Sequence, residues 1–238
     1  MIPAWLPIPL LLITVTALIA VDERTPAGVG RNVRWVGVWK PLSTLLVILV
    51  AALSFTHLGT IDPLYSVLIL AGLVLSLAGD VLLIFSSHKA FLAGLVAFLC
   101  AHLAYIAAFI HLRVSGVLGQ PQTSLPAEVI AAAVLAIIAG AVYLYLKPKL
   151  GRMGPPVIVY IFVISVMVHR ALAVAFAYPG RPVFGGLIVT GALLIYLSDA
   201  ILAVDRFRMD GQMPHGHLLN LAAYYAGQVL IALSATYL

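Results

Sequence analysis

Apolar runs long enough to cross a bilayer fill nearly the whole chain, and this constrains its fold more than any other feature. About 20 consecutive apolar residues span the hydrocarbon core as a helix. Runs of that kind fit at about 3–20, 36–55, 64–85, 90–110, 126–146, 156–177, 185–204 and 218–237. The breaks between them collect the proline, glycine and charge: DERTPAGVGRNVR, IDP, SSHK, LKPKLGRMGPP, YPGRP and DRFRMDGQMPHGH. In lipid every backbone polar group needs an internal partner, so runs of this kind become helices. The expectation is an all-α polytopic membrane protein of eight transmembrane helices, one transmembrane domain over residues 1–238. A soluble domain would carry about a quarter charged residues; here 9% are charged against 63% hydrophobic, which excludes that class.

The few cations are unevenly placed. Odd-numbered connections hold Arg24, Arg31, Arg34, Lys89, Lys147, Lys149, Arg152, Arg206 and Arg208, with Lys40 at the next helix start; even-numbered ones hold Arg113 and Arg181. Cytoplasmic loops retain Lys and Arg, so the odd connections are expected inside and both termini outside, in a bacterial inner (plasma) membrane. The same rule explains the pI near 9.5 without any nucleic-acid partner. The first run lacks a basic leader and a small-residue cleavage site, and reads as a retained span. Cys100 stands alone in an apolar run, which excludes an intrachain disulfide and a cysteine-based metal site.

Against this background two aspartates stand out. Asp80 lies in LYSVLILAGLVLSLAGDVLLIF and Asp199 in GGLIVTGALLIYLSDAILAV. A carboxylate at the centre of a membrane helix costs roughly 2.5–3.5 kcal/mol even on the mildest scales, so such groups face a partner or a cavity and are functional by default. The contexts SLAGD and YLSD echo each other four spans apart, on helices pointing the same way. Two parallel four-helix repeats about an axis along the membrane normal would set the aspartates opposite one another; a shared packing habit explains the echo equally well. At 1.5 Å per residue each aspartate lies on the order of 10 Å inside its cytoplasmic helix end. Tyr160, Tyr224 and Tyr225 fall at a similar depth, and His102, Gln228 and Arg170 deeper, so these groups are candidates to line one cleft open to the inner leaflet.

The surrounding polar residues supply candidate partners. Ser76, Gly79 and Asp80 share a helix face at i, i+3 and i+4, where glycine admits a close neighbour and Ser76 can bond the carboxylate. His102 and Tyr105 share the next helix's face, with His102 expected beside Asp80. Asp199 has Ser198 adjacent and is expected to meet Tyr225 or Gln228. Lys40–Pro41 is expected to open the second helix, proline suiting a first turn. Lys40 there either snorkels to the interface or binds a lipid phosphate. Arg170 can neutralise a carboxylate or hold a phosphate, while the adjacent His169 points elsewhere. His88, His215 and His217 read as solvated loop residues, and no HExxH, GxSxG or phosphate-loop motif is present.

Taken together, several segments resemble the lysoplasmalogenase (YhhN-like) membrane proteins. They are KPL at Lys40–Leu42, SLAGD at Ser76–Asp80, FLAGLVAFLCAHLAY at Phe91–Tyr105, PPVIVYIFVISVMVHRA at Pro155–Ala171, GALLIYLSDAILAVDRF at Gly191–Phe207 and YYAGQVLIA at Tyr224–Ala232. The departures are Ile195 and Tyr196, His169, and Ala223 and Gly227. The resemblance implies an eight-helix enzyme that hydrolyses the vinyl ether of lysoplasmalogens to a fatty aldehyde and a glycerophospho-head group. It implies a lysophospholipid substrate and no metal or organic cofactor.

Vinyl ether hydrolysis suits paired carboxyls. One protonated carboxyl delivers a proton to the β-carbon; an ionised one steadies the cation and activates water, as in glycosidases. Burial and a like neighbouring charge are what hold two carboxyls in different protonation states. Asp199 is assigned here as the acid and Asp80 as the base, with Lys40, Ser76, His102, Tyr105, Tyr160, Arg170, Ser198, Tyr224, Tyr225 and Gln228 around the substrate. Arg170, Lys40 and loop cations are the candidates for its phosphate. The competing readings are a proton- or cation-coupled transporter of lipids or small molecules and a non-catalytic lipid-binding protein.

Overall fold

The computed structural model describes residues 3–23, 33–56, 62–85, 87–122 and 124–238. They form α1 (Ile8–Glu23), α2 (Val33–Thr56), α3 (Pro63–Leu82), α4 (His88–Val114), α5 (Leu125–Leu150), α6 (Gly154–Ala177), α7 (Pro182–Arg208) and α8 (Gly216–Ser234), with short 3₁₀ turns after α5 and α8. No strand occurs among the described residues. The expected first connection, with Arg24 and Arg31, lies outside them, as does Ser86 of the SSHK break.

Local chemistry sets the helix ends. Asp62 caps α3 by accepting hydrogen bonds from the Leu64 and Tyr65 amides, with Pro63 in the first turn, where its missing N–H is not needed. Ser87 caps α4 through the Ala90 amide. The first helix starts at Ile8, later than the run from residue 3, behind a turn containing Pro3 and Pro7. Pro41 departs from expectation in the other direction. It sits inside α2, two turns from its start at Val33, so Lys40 is carried into the body of the bundle and does not open the helix.

Stretches from α2 to α8 are long and apolar enough to cross a membrane, α5 and α6 forming one continuous apolar stretch, and α1 is a shorter apolar helix. Large apolar side chains point outward, among them Ile13, Ile137, Phe162 and Val129. A soluble monomer does not expose so much of this surface, and lipid is the solvent that accepts it. The chain is an all-helical polytopic membrane protein.

The most extensive pairings are α3 with α4 and α7 with α8. α2 packs on α3 and reaches α8; α6 packs on α7 and reaches α4. α1 and α5 lie against α2 and α6 respectively. Where α7 meets α8, Gly191 and Gly227 face each other so closely that a Cβ on Gly191 would lie 2.9 Å from the Gly227 carbonyl oxygen, and one on Gly227 2.8 Å from that of Gly191. Backbone cannot swing aside as a side chain can, so this approach requires glycine on both helices. Gly191→Ala or Gly227→Ala is therefore expected to cost about 1–3 kcal/mol of stability. Gly140→Ala, which meets nothing within 4 Å, should be silent in the same thermal-unfolding measurement in detergent.

Candidate functional site

The two aspartates occupy two separate settings, each made by three helices. Asp80 on α3 is 1% exposed and enclosed by α2 and α8. Lys40 Nζ stands 3.1 Å from its Oδ1, an ion-pair contact without a well-directed hydrogen bond. Its Oδ2 accepts from Thr44 Oγ1 at 2.5 Å and from the Tyr224 hydroxyl at 2.8 Å. The Tyr225 hydroxyl donates to the Lys40 carbonyl at 3.0 Å and fixes the same turn of α2. A buried charge survives when it is paired and hydrogen-bonded; Asp80 is paired through Oδ1 and hydrogen-bonded through Oδ2.

Asp199 on α7 is enclosed by α4 and α6. The Tyr160 hydroxyl donates to its Oδ2 at 2.6 Å. His102 Nε2 is 3.6 Å from the same oxygen, with its ring edge-on to Tyr160, and His102 Nδ1 has no partner among the described residues. Asp199 Oδ1 makes no hydrogen bond among the described residues, and the side chain keeps 15% of its surface accessible.

Asp199 and Tyr160 open onto a cleft whose walls are otherwise almost entirely apolar, including Phe91, Leu95, Phe98, Val142, Ile164 and Phe207. Apolar walls with a few placed polar groups are the character of a small-molecule site. Asp80 is not among the lining residues. Phe98 stands between: its ring lies where a Cβ on Gly79 would be, 2.6 Å away, packs edge-on against Tyr224, and lines the cleft. The glycine of SLAGD thus makes room for the ring that separates the two carboxylates.

Other expected residues divide between these settings and the frame. His102 partners Asp199, not Asp80, because α4 turns that face toward α6. Ser76 bonds Gln228 Nε2 at 3.1 Å instead of Asp80, and Gln228 Oε1 accepts from Tyr105 at 2.7 Å, tying α3, α4 and α8. Tyr225 and Gln228 therefore do not meet Asp199. Ser198 faces α8, where its hydroxyl and carbonyl accept from Asn220 at 3.0 and 2.8 Å. Arg170 joins neither aspartate: it donates to His169 Nδ1 at 2.9 Å, and His169 Nε2 meets the Glu128 carbonyl at 3.1 Å near the start of α5.

Two residues escaped the sequence reading. Thr44 makes the shortest bond to Asp80, and its spacing of four from Lys40 puts both on one face of α2, a signal the expected helix start at Lys40 concealed. Tyr196 lines the cleft, three residues before Asp199, with a buried hydroxyl that has no partner among the described residues. Removing Lys40 tests the first setting. Lys40→Met should lower stability by about 3–5 kcal/mol by stranding a buried carboxylate. Lys40→Met with Asp80→Asn should recover most of that loss in thermal unfolding.

Known proteins resemble the chain over most of its length. A model of the YhhN family matches residues 35–235. The chain is similar to lysoplasmalogenase TMEM86A of Bos taurus, 35% identical over 172 residues that make up 70% of this chain and 64% of that protein. It is also similar to human lysoplasmalogenase TMEM86B, 36% identical over 176 residues, 72% of this chain and 64% of the relative. Mouse TMEM86B is 33% identical over 168 residues, 71% of this chain and 63% of the relative. The chain thus spans somewhat less than two thirds of the length of these curated relatives. No solved structure matches it. Since the family model covers all but the first helix and the last few residues, the chain belongs to the YhhN family.

Proposed function

We propose that this protein hydrolyses the vinyl ether bond of lysoplasmalogens, releasing a fatty aldehyde and a glycerophospho-head group. The observation that carries the reading is a carboxyl, Asp199, hydrogen-bonded by Tyr160 at the wall of an otherwise apolar cleft. The relatives named lysoplasmalogenase support the choice of substrate.

Asp199 gives the proton to carbon and takes it back from water in this scheme. Tyr160 occupies Oδ2, which leaves Oδ1 for the transferable proton. Oδ1–H protonates the β-carbon of the vinyl ether; the C=C electron pair forms the new C–H bond, and positive charge spreads over the α-carbon and ether oxygen. The resulting carboxylate faces that cation. Water adds to the α-carbon and returns its proton to Asp199, giving a hemiacetal. A proton then passes to the ether oxygen as the hemiacetal hydroxyl gives up its own; the carbon–oxygen bond to glycerol breaks as the C=O bond forms, which frees the aldehyde. Water is the one co-reactant consumed. Asp80 is the ionised member of the pair, held by Lys40, Thr44 and Tyr224, and it steadies the cation through space. Its engaged oxygens argue against the water-activating role expected from the sequence.

The finer architecture belongs to the same proposal. All eight helices cross the bilayer as one domain, with the connections after α1, α3, α5 and α7 in the cytoplasm of a bacterial cell and both termini outside. Two parallel four-helix repeats relate α1–α4 to α5–α8. The packing order supports the repeat, since α2 touches α3 and α8 as α6 touches α7 and α4. In that alignment Lys40 of α2 corresponds in place to Tyr160 of α6.

Purified protein in detergent should release aldehyde from 1-alkenyl-glycerophosphoethanolamine, without the sealed vesicles a transporter needs. Asp199→Asn should lower turnover by about 10²–10⁴-fold, the range of a lost general acid–base group. Tyr160→Phe should retain activity at a reduced rate. Hydrolysis of the lysoacyl lipid with no vinyl ether cleavage would overturn the assignment. Orientation is read separately: in a Cys100→Ala background, cysteines at Gly116 and Gly180 should label from outside intact cells, and those at Arg152 and Gly211 only after permeabilisation.

A further inference from the structure

We propose that Arg206 and Arg208, in the last turn of α7, form the subsite that holds the phosphate of the lipid head group at the mouth of the Asp199 cleft. This rests on the hydrolase reading for the identity of the lipid, though the anion site is tested without turnover. The residues expected to hold a phosphate are otherwise engaged: Lys40 is paired with Asp80, and Arg170 is bound to His169 on the far half of α6. The cleft follows α7 from Tyr196 and Asp199 to Phe207, and the eight residues from Asp199 to Phe207 rise about 12 Å.

At that end two guanidinium groups are pinned over aromatic rings on opposite walls. Arg206 Cζ lies 4.9 Å from the centroid of Phe91, a cleft-lining residue of α4 that also packs edge-on against Phe207. Arg208 Cζ lies 4.6 Å from the centroid of Tyr145, on α5 one turn beyond the cleft-lining Val142. The α7 terminus is therefore flanked by a guanidinium over α4 and another over α5.

Stacking uses the face of a guanidinium and leaves its N–H donors, which lie in the plane, free to bind a phosphate in fork geometry. Neither arginine makes an ion pair among the described residues. The neighbouring carboxylate does not compete: Asp205 Oδ1 accepts from the Met213 amide at 2.9 Å, and its Oδ2 faces His217 at 4.0 Å. The same bond ties down the connection after α7 and so fixes the turn that carries both arginines. Helical side chains lean toward the N-terminus, which brings these groups back toward Asp199. Only the glycerol backbone of a lysoplasmalogen then separates the phosphate from the vinyl ether.

The test is equilibrium binding in detergent of two non-hydrolysable ether lipids of equal chain length, 1-alkyl-glycerophosphoethanolamine and 1-alkylglycerol, to the wild type and to Arg206→Gln/Arg208→Gln. The wild type should favour the phospholipid, and the double variant should lose about tenfold of that affinity, the size expected of two partly solvated charge contacts. Its affinity for 1-alkylglycerol should be unchanged, which also shows that the cleft is intact. Arg206→Lys should recover only part of the loss, because lysine keeps the charge without the fork. Inorganic phosphate competing as strongly as the phospholipid would assign the site to free phosphate and overturn the lipid reading. Equal losses for both lipids, or a wild type indifferent to the phosphate, would overturn the proposal outright. Phosphate-selective binding without aldehyde release would leave this subsite standing and remove the hydrolase reading.

Discussion

The Lys40–Asp80 ion pair is the interaction on which the rest of the bundle depends. A carboxylate and an ammonium withdrawn from water are each costly, and attraction between them offsets this only where the remaining hydrogen-bonding capacity is filled. Thr44 and Tyr224 supply hydrogen bonds to Oδ2, and Tyr225 binds the carbonyl of the residue that supplies the cation. Three helices, the consecutive α2 and α3 and the distant α8, must therefore adopt one mutual register. A slip of any of them by a turn would leave a charge stranded. Apolar packing in lipid specifies register weakly, because lipid tails are as apolar as the side chains they replace.

Asp199 is held less completely, and the difference is chemically useful. Where the Asp80 setting has an ammonium, the Asp199 setting has a phenol. One hydrogen-bond donor orients the carboxyl without fixing its charge, and one of its oxygens is left uncommitted. The proposed reaction asks Asp199 to exchange a proton, which needs that freedom, while a group that anchors helices needs the opposite. The two similar sequence contexts thus arrive at two different electrostatic situations.

The helices were legible because apolar length and proline, glycine and charge punctuation are local signals. The same holds for the prominence of the two aspartates. Their partners were not legible, since which side of α4 faces α6 depends on packing between helices that sequence periodicity does not report. Hence His102 was paired with the wrong aspartate, and Ser76 was given to Asp80 when it belongs to Gln228. Lys40 stood out in the sequence but was misplaced at a helix start, because Pro41 is a stronger signal for a first turn than for an interior position. There the proline deprives the Gly37 carbonyl of its helical donor. Tyr196 looked like a mere departure from the family pattern, and only the cleft reveals that its hydroxyl lies in the wall.

Phe98 acts as an insulator of an unusual kind. The ring packed on Gly79 stands between the Asp80 cluster and the cleft, and it offers no polar atom through which water or a proton can pass. An apolar medium screens charge poorly, however, so electrostatic force crosses such a barrier more readily than it would cross water. At this ring the Asp80 cluster and the cleft are like the plates of a capacitor, coupled in potential across a contact that carries no proton. A substitution that opened this barrier would disturb both sides at once, hydrating the ion pair and draining the field that the cleft receives from it.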